Sequence, residues 1–403
     1  MTMFSKHARN GVVVSSECCA SNGNAKCMAQ CDDAARRKSA EFRVPVGHNG
    51  RVDMRYDIEA DWKLLTTCNF RCEYCFINVN DLSAKIKVYG TAIEWSDAFN
   101  ATGKTWLLHV TGGEPTIYPD FVAVCEQLTR GHYLSINSNL AHRSIEAFAE
   151  RVDPRRVHFI NAAVHYAERQ KKNASLDVFI ERVHKLHKYG FNVLVSMVMT
   201  PNAVRDFPEY SEHFESRGLS LIPKTMRDQY QGDRYPRAYT NEQRALIREY
   251  LTRASQKYAA VIGNMGEPAT IDMFADARFL DNIGNYRGKV CGSGYNFVAI
   301  EPDGTVVRCG SGKRLGNVLW GTLRLLRAPR ACDTAYCPYF CEKYTSPKFV
   351  REQESEQFTQ KEVQFKPGGA ANQVEYSYTF QIGGPPARSS TTCAGTEQEG
   401  QIE

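Results

Sequence analysis

The sequence has no apolar run near the roughly 20 residues needed to cross a bilayer. Its first 20 residues offer only three consecutive valines, Val12–Val14, too short for the core of a secretory signal. A cytoplasmic protein is therefore expected. Charge of one sign is also scarce: a net +5 over 403 residues leaves neither a nucleic-acid footprint nor a polybasic membrane patch. Neither nucleic acid nor membrane is expected as a partner. Hydrophobic residues at 42% and charged residues at 24% are enough for an ordinary globular core, which excludes a wholly disordered chain. The length allows one large domain or two to three smaller ones.

Cysteine is the residue that is not scarce. In a reducing compartment, 14 cysteines point to metal ligation before disulfides. Their distribution is uneven. Cys18, Cys19, Cys27 and Cys31 lie in the first 31 residues, Cys68, Cys72 and Cys75 within eight residues, and Cys291, Cys309, Cys332, Cys337 and Cys341 in a later block. Cys125 and Cys393 stand apart, and the spread suggests two separate metal regions.

Residues 1–50 are rich in Ser, Asn, Ala and Gly without periodicity and are expected as a flexible extension. From residue 51 to about 240 strands and helices alternate. Strand patterns occupy 52–66, 105–110, 133–139, 157–164, 191–199 and 219–224. Helical spacing marks 121–128, 144–152, 176–186 and about 205–217. Such alternation predicts a parallel sheet with crossover helices. About six units fall short of eight and predict a partial (β/α)6 barrel, an α/β fold with chemistry at the C-terminal strand ends. Residues 241–287 are expected as a helical linker opened by a Thr240–Gln243 capping box. Residues 288–345 read as a small cysteine-rich domain of β-hairpin and helix, with a turn at Asp303-Gly304. Residues 346–403 read as a polar tail with one hairpin, "KEVQF" against "QVEYSYTFQI", and a disordered end.

The first motif is "CNFRCEYC", with spacing C-x3-C-x2-C. Thiolates are soft ligands suited to iron–sulfur clusters or zinc. Structural zinc sites close with four ligands, and no fourth Cys or His lies nearby in sequence. Three thiolates leave one metal position open, unless a distant residue completes a zinc site. One strand later comes "GGEP", residues 112–115.

Together these two motifs resemble the radical SAM superfamily, over about residues 54–225. The resemblance implies that Cys68, Cys72 and Cys75 hold three irons of a [4Fe–4S] cluster and that S-adenosylmethionine (SAM) chelates the fourth. It implies reductive SAM cleavage to a 5′-deoxyadenosyl radical, which abstracts hydrogen from an unactivated C–H bond. The cofactor carries that chemistry while the protein binds and orients. By the same resemblance Gly112, Gly113, Glu114 and Pro115 belong to the motif whose backbone approaches the SAM amino group, and Tyr74 lies near the adenine. Ser135, Asn137 and Asn139 alternate on one strand face and are candidates to meet the ribose or carboxylate. His165, at the next strand end, is a candidate cofactor or substrate contact.

The later block, "CGSGYNFVAIEPDGTVVRC", resembles the C-x(9–15)-G-x4-C opening of the SPASM and twitch extensions of radical SAM enzymes. It departs from the full SPASM pattern, which has a C-x2-C-x5-C-x3-C run. Five cysteines suffice for one closed auxiliary [4Fe–4S] cluster, on Cys291, Cys309 and two of Cys332, Cys337 and Cys341, with the last two favoured. A zinc ribbon is the alternative. An auxiliary cluster implies an oxidoreductase: the net reaction is an oxidation, either dehydrogenation or bond formation. The first 50 residues show no leader-binding pattern, so a small polar metabolite of a biosynthetic pathway is favoured over a peptide. A maturase acting on a peptide or protein is the alternative. A flavodoxin or ferredoxin is expected as electron donor. Lys224 and Arg227, after the last strand, are candidates to orient an anionic or polar substrate. A non-catalytic zinc or iron–sulfur scaffold would leave "GGEP" unexplained.

Overall fold

The computed structural model describes residues 54–261, Leu280, 286–309, 312–335 and Cys337, all within a unit spanning residues 1–355. The extension at 1–50, most of 262–285, Cys341, Cys393 and the expected tail hairpin lie outside the described residues.

Strand β1 (Ile58–Leu65) explains the architecture. It reads I-E-A-D-W-K-L-L, apolar and polar in alternation, so its two faces differ. Ile58, Ala60, Trp62 and Leu64 are buried on one face. There Trp62 meets Trp95 and Phe99 at ring-centroid distances of 4.8 and 5.4 Å. Both belong to a helix at Ala92–Asn100, whose start Thr91 and Glu94 fix with a capping box. This helix was not expected from hydrophobic periodicity, although its T-x-x-E start is present in the sequence.

The remaining strands follow in chain order: β2 (Trp106–Gly112), β3 (Tyr133–Ser138), β4 (Val157–Ala163), β5 (Val193–Val198) and β6 (Leu221–Lys224). Strands β1 to β6 are parallel, each paired with the next. Helices at Phe121–Leu128, Ser144–Arg151, Leu176–Lys188 and Pro201–Ser216 connect them. This is the α/β partial barrel expected from the alternation. The helix predicted from 205 begins at 201 because Pro201, which ends the strand, is also well placed in a first helical turn, behind the Thr200 cap. Cys125 is buried in the first of these connecting helices, among apolar neighbours.

The cysteine-rich segment enters the same sheet. Strand β10 (Phe297–Ile300) runs parallel to β1, with Glu59 opposite Phe297 and Trp62 opposite Ile300. Strands β11 (Thr305–Val307) and β12 (Arg314–Asn317) continue it antiparallel, giving nine strands in the order β12-β11-β10-β1-β2-β3-β4-β5-β6. The turn predicted at Asp303-Gly304 is there. Gly304 has φ +81° and donates to the Glu301 carbonyl, a conformation that favours glycine. Among the described residues of 286–337 the elements are strands and turns, without the helix expected there. No described helix is long and apolar enough to cross a membrane.

Candidate active site

The inner face of β1 presents Glu59, Asp61 and Lys63, because the outer face is spent on helix packing. Neighbouring strands add polar residues on the same face. His109 Nε2 lies 3.1 Å from Glu59 Oε2 and its Nδ1 lies 2.6 Å from Ser135 Oγ. Tyr56 donates to the other Glu59 oxygen at 2.6 Å. The Thr111 hydroxyl donates to Asp61 at 2.9 Å, and Lys63 pairs with Glu301 at 2.9 Å. Ser196 donates to Asn161, which donates to Asn137 at 2.5 Å. Burial pushes the Asp61 carboxyl above its usual range, with the Thr111 hydrogen bond and Lys63 opposing.

These inner residues were mostly missed from sequence. The signal was the alternation in β1: with helices outside, a polar strand face has only the barrel interior to meet. Of the expected contacts, Ser135 and Asn137 do share the inner face. Ser135, however, sits four residues, about 13 Å of strand, before Asn139, in the Glu59–His109 network.

The C-terminal strand ends assemble the cysteine loop. Glycine is required where β2 ends. A Cβ on Gly112, which has φ +122°, would lie 2.0 Å from the Leu65 carbonyl oxygen, and one on Gly113 would lie 2.0 Å from that of Thr67. Gly113 N–H donates to Leu65 at 2.9 Å and Glu114 N–H to Thr67 at 3.0 Å. The two glycines thus permit close contact with the backbone that launches the loop, a role within the chain itself. Glu114 is buried and caps the 3-10 turn Pro115–Ile117. Its carboxylate accepts from Thr116, from Ser138 at 2.6 Å and from the Asn139 backbone at 2.7 Å, welding the β2 end to the β3 end. Burial raises its pKa against those hydrogen bonds.

The loop residues 69–74 are gripped from the ends of β3 and β4. Asn139 donates its amide to Asn69 Oδ1 at 2.7 Å. Arg71 N–H donates to the Glu168 carboxylate at 2.8 Å. The Arg169 guanidinium sits 5.5 Å from the Phe70 ring centroid. His165 Nδ1 lies 2.7 Å from the Tyr74 hydroxyl and 3.5 Å from Cys72 Sγ, and the two rings stack. Burial, then Arg169 and Lys224, lower the His165 pKa to about 3, so its ring is neutral. Tyr74 is held above its usual value by burial and the Cys72 sulfur. Lys224 ends β6 and Arg227 lies three residues on, before a hairpin of β7 (Asp228–Tyr230) and β8 (Asp233–Tyr235). Tyr230 reaches back to Glu73 in the loop.

The donor set fits an iron–sulfur cluster. Phe70 N–H donates to Cys68 Sγ at 3.3 Å, and a backbone bond at Ile77 favours the Cys75 thiolate. Cys75 adds to the upward shift of both Cys68 and Cys72, and Cys68 adds to that of Cys72. Burial pushes the Cys68 and Cys72 thiols up to about 12, and Cys75 upward. They ionise near neutral pH only when a metal replaces the proton. Among the described residues no three Cys, His, Asp or Glu side chains converge on one metal ion.

In the second cysteine region, Cys291, Cys337 and Cys332 pack with Tyr286 and Phe297 in one small cluster. Cys332 N–H donates to Lys289, and strand β13 (Arg330–Ala331) pairs with β9 (Val290–Cys291). Cys309 is buried. Its neighbour Arg308 donates to the Ser293 carbonyl, two residues after β9's Cys291, and to the Arg330 and Ala331 carbonyls. The described residues therefore place Cys332, disfavoured from spacing, beside Cys291 and Cys337.

Residues 62–212, which contain both motifs, match the model of the radical SAM superfamily. Over that segment the chain is similar to the radical SAM superfamily. A comparison with curated proteins finds no match. Among solved structures, the chain is similar to anSMEcpe with bound AdoMet and the Cp18Cys peptide. Identity is 16%, over 65% of this chain and 77% of that one, with TM-score 0.46. It is similar to Streptococcus suis SuiB bound to S-adenosylmethionine at 14% identity, over 70% and 64%, with TM-score 0.42. Methylornithine synthase (PylB) aligns at 14% identity, over 70% and 80%, with TM-score 0.36.

Proposed function

We propose that this protein is a radical SAM oxidoreductase acting on a small polar metabolite in the cytoplasm, with a flavodoxin or ferredoxin as electron donor. The observation that carries the reading is the three-thiol loop at the β1 end, backbone-locked to the glycines of "GGE". Cys68, Cys72 and Cys75 would hold the SAM-binding [4Fe–4S] cluster. Cys291, Cys309, Cys332 and Cys337, with Cys341 as alternative, would hold an auxiliary one. When bound, the first cluster with SAM supplies hydrogen-atom abstraction and the second an electron acceptor, which makes the net reaction an oxidation.

The chain's own contribution is binding and exclusion of water. A metabolite with hydroxyl or amino groups finds hydrogen-bonding partners in Asp61, Asn137, Asn161 and Ser196 along the barrel interior. Lys224 and Arg227 stand at the mouth, where they would orient an anionic group. The Glu59–His109–Ser135 chain is internally satisfied and closes the floor.

Anaerobic reconstitution tests the proposal. About eight irons per chain, as two [4Fe–4S] clusters require, and dithionite-dependent 5′-deoxyadenosine are expected. Stoichiometric zinc without 5′-deoxyadenosine would overturn it. Lys224→Ala should raise substrate KM or abolish turnover while substrate-free SAM cleavage persists; unaltered turnover removes Lys224 from the site.

A further inference from the structure

The short helix Tyr166–Lys171 lies directly after β4 and beside the cysteine loop. It follows His165, whose φ of +47° is unusual for a non-glycine residue. That reversal sends the chain back along the loop. Four residues of this stretch then contact the loop: His165 meets Tyr74 and Cys72, Glu168 the Arg71 N–H, Arg169 the Phe70 ring, and Lys171 Glu73.

These contacts differ in weight. Lys171 and Glu73 are more than half exposed, where solvent screens the pair. Glu168 and Arg169 are 5% and 3% exposed. Arg169 is anchored away from the loop, donating to the Val164 and Asn139 carbonyls and packing on Phe179. Glu168 instead grips the loop backbone itself, between Cys68 and Cys72. A buried carboxylate accepting a backbone N–H is a charge-assisted bond, and it leaves the N–H unsatisfied when removed.

We infer that Tyr166–Lys171 is a clamp that presets the spacing of Cys68 and Cys72, with Glu168 as its central positioning residue. Glu168 touches neither ligand sulfur and acts through the Arg71 amide. The inference rests on reading those cysteines as cluster ligands.

The test compares Glu168→Ala, Glu168→Gln and Lys171→Met with the parent, all reconstituted anaerobically. The readouts are the rate of iron release to a chelator and the EPR spectrum of the reduced cluster with and without SAM. Glutamine keeps an acceptor for the Arg71 N–H and loses the charge. Glu168→Ala is expected to release iron on the order of tenfold faster or more and to broaden the EPR signal. Glu168→Gln should restore retention to within about threefold of the parent, since an acceptor remains, and Lys171→Met should match the parent. Should Glu168→Ala fail to fold, Glu168→Asp withdraws the acceptor by one methylene and should show the same accelerated release. Parental retention in the alanine or aspartate variant overturns the clamp, as does glutamine failing to rescue. A parent that binds no [4Fe–4S] cluster overturns the proposed function instead, so the two failures are distinguishable.

Discussion

Three alanine substitutions separate two reasons for glycine at the "GGE" turn. Gly103 has φ +66° with nothing within 4 Å of an added Cβ, so Gly103→Ala meets only the left-handed penalty of about 1–2 kcal/mol. Gly113 is not in the positive-φ region, but its Cβ would lie 2.0 Å from the Thr67 oxygen and 2.4 Å from the Thr66 oxygen. These are backbone atoms. Relief requires moving β2 away from the segment it bonds to through Gly113 and Glu114. Gly113→Ala should therefore cost about 3 kcal/mol, the upper end of overpacking. Gly112→Ala combines both effects and should cost as much or more. Urea unfolding of the metal-free protein is the assay, because the clash lies within the chain and needs no cofactor. The expected order of cost is Gly112→Ala at or above Gly113→Ala, with Gly103→Ala well below. A Gly113→Ala protein no less stable than Gly103→Ala would refute the close-approach argument. The glycines would then be left to serve a ligand alone.

Replacing Cys68, Cys72 or Cys75 by Ala should abolish 5′-deoxyadenosine formation, measured by chromatography after dithionite reduction. Cys309→Ala should spare part of that cleavage and lose product; identical behaviour of the two sets would remove the distinction between the cysteine regions. Burial lowers the His132 pKa to about 4, with Arg156 adding to it, while the Trp106 N–H donates to its Nδ1 at 3.4 Å. The folded state therefore resists a proton that the unfolded chain accepts near 6.5. Stability should be full above about pH 6.5 and fall as pH drops toward about 4. His132→Asn should flatten that fall between pH 6.5 and 5 in urea midpoints; an unchanged slope there would show that His132 is not its source.

The fold was legible because both of its periodicities are strong. Leu176, Phe179, Ile180 and Val183 sit at helical spacing, and all but Leu176 are buried. The strand runs before and after them are buried as well. The helix at Ala92–Asn100 escaped notice because it buries only Trp95, Ser96 and Phe99. The candidate site was legible in part. Three thiols in eight residues announce a metal loop wherever they fall. Asn137 and Asn139 looked equivalent by alternation, yet one bonds within the sheet and the other bridges to Asn69. Glu168 and Arg169 gave no signal, since a charged pair on a short helix ordinarily faces solvent.

The sequence alone determined the order of strands and helices, the cysteine loop at a strand end and the glycines beside it. These depend on local periodicity and on chemistry carried by neighbouring residues. Only the tertiary structure decided that β10 joins β1, that His109 links Glu59 to Ser135, and that Glu168 holds Arg71. Those pairings join residues 26 to 238 positions apart. Sheet register and barrel curvature set such distances, and no local pattern in the chain encodes them.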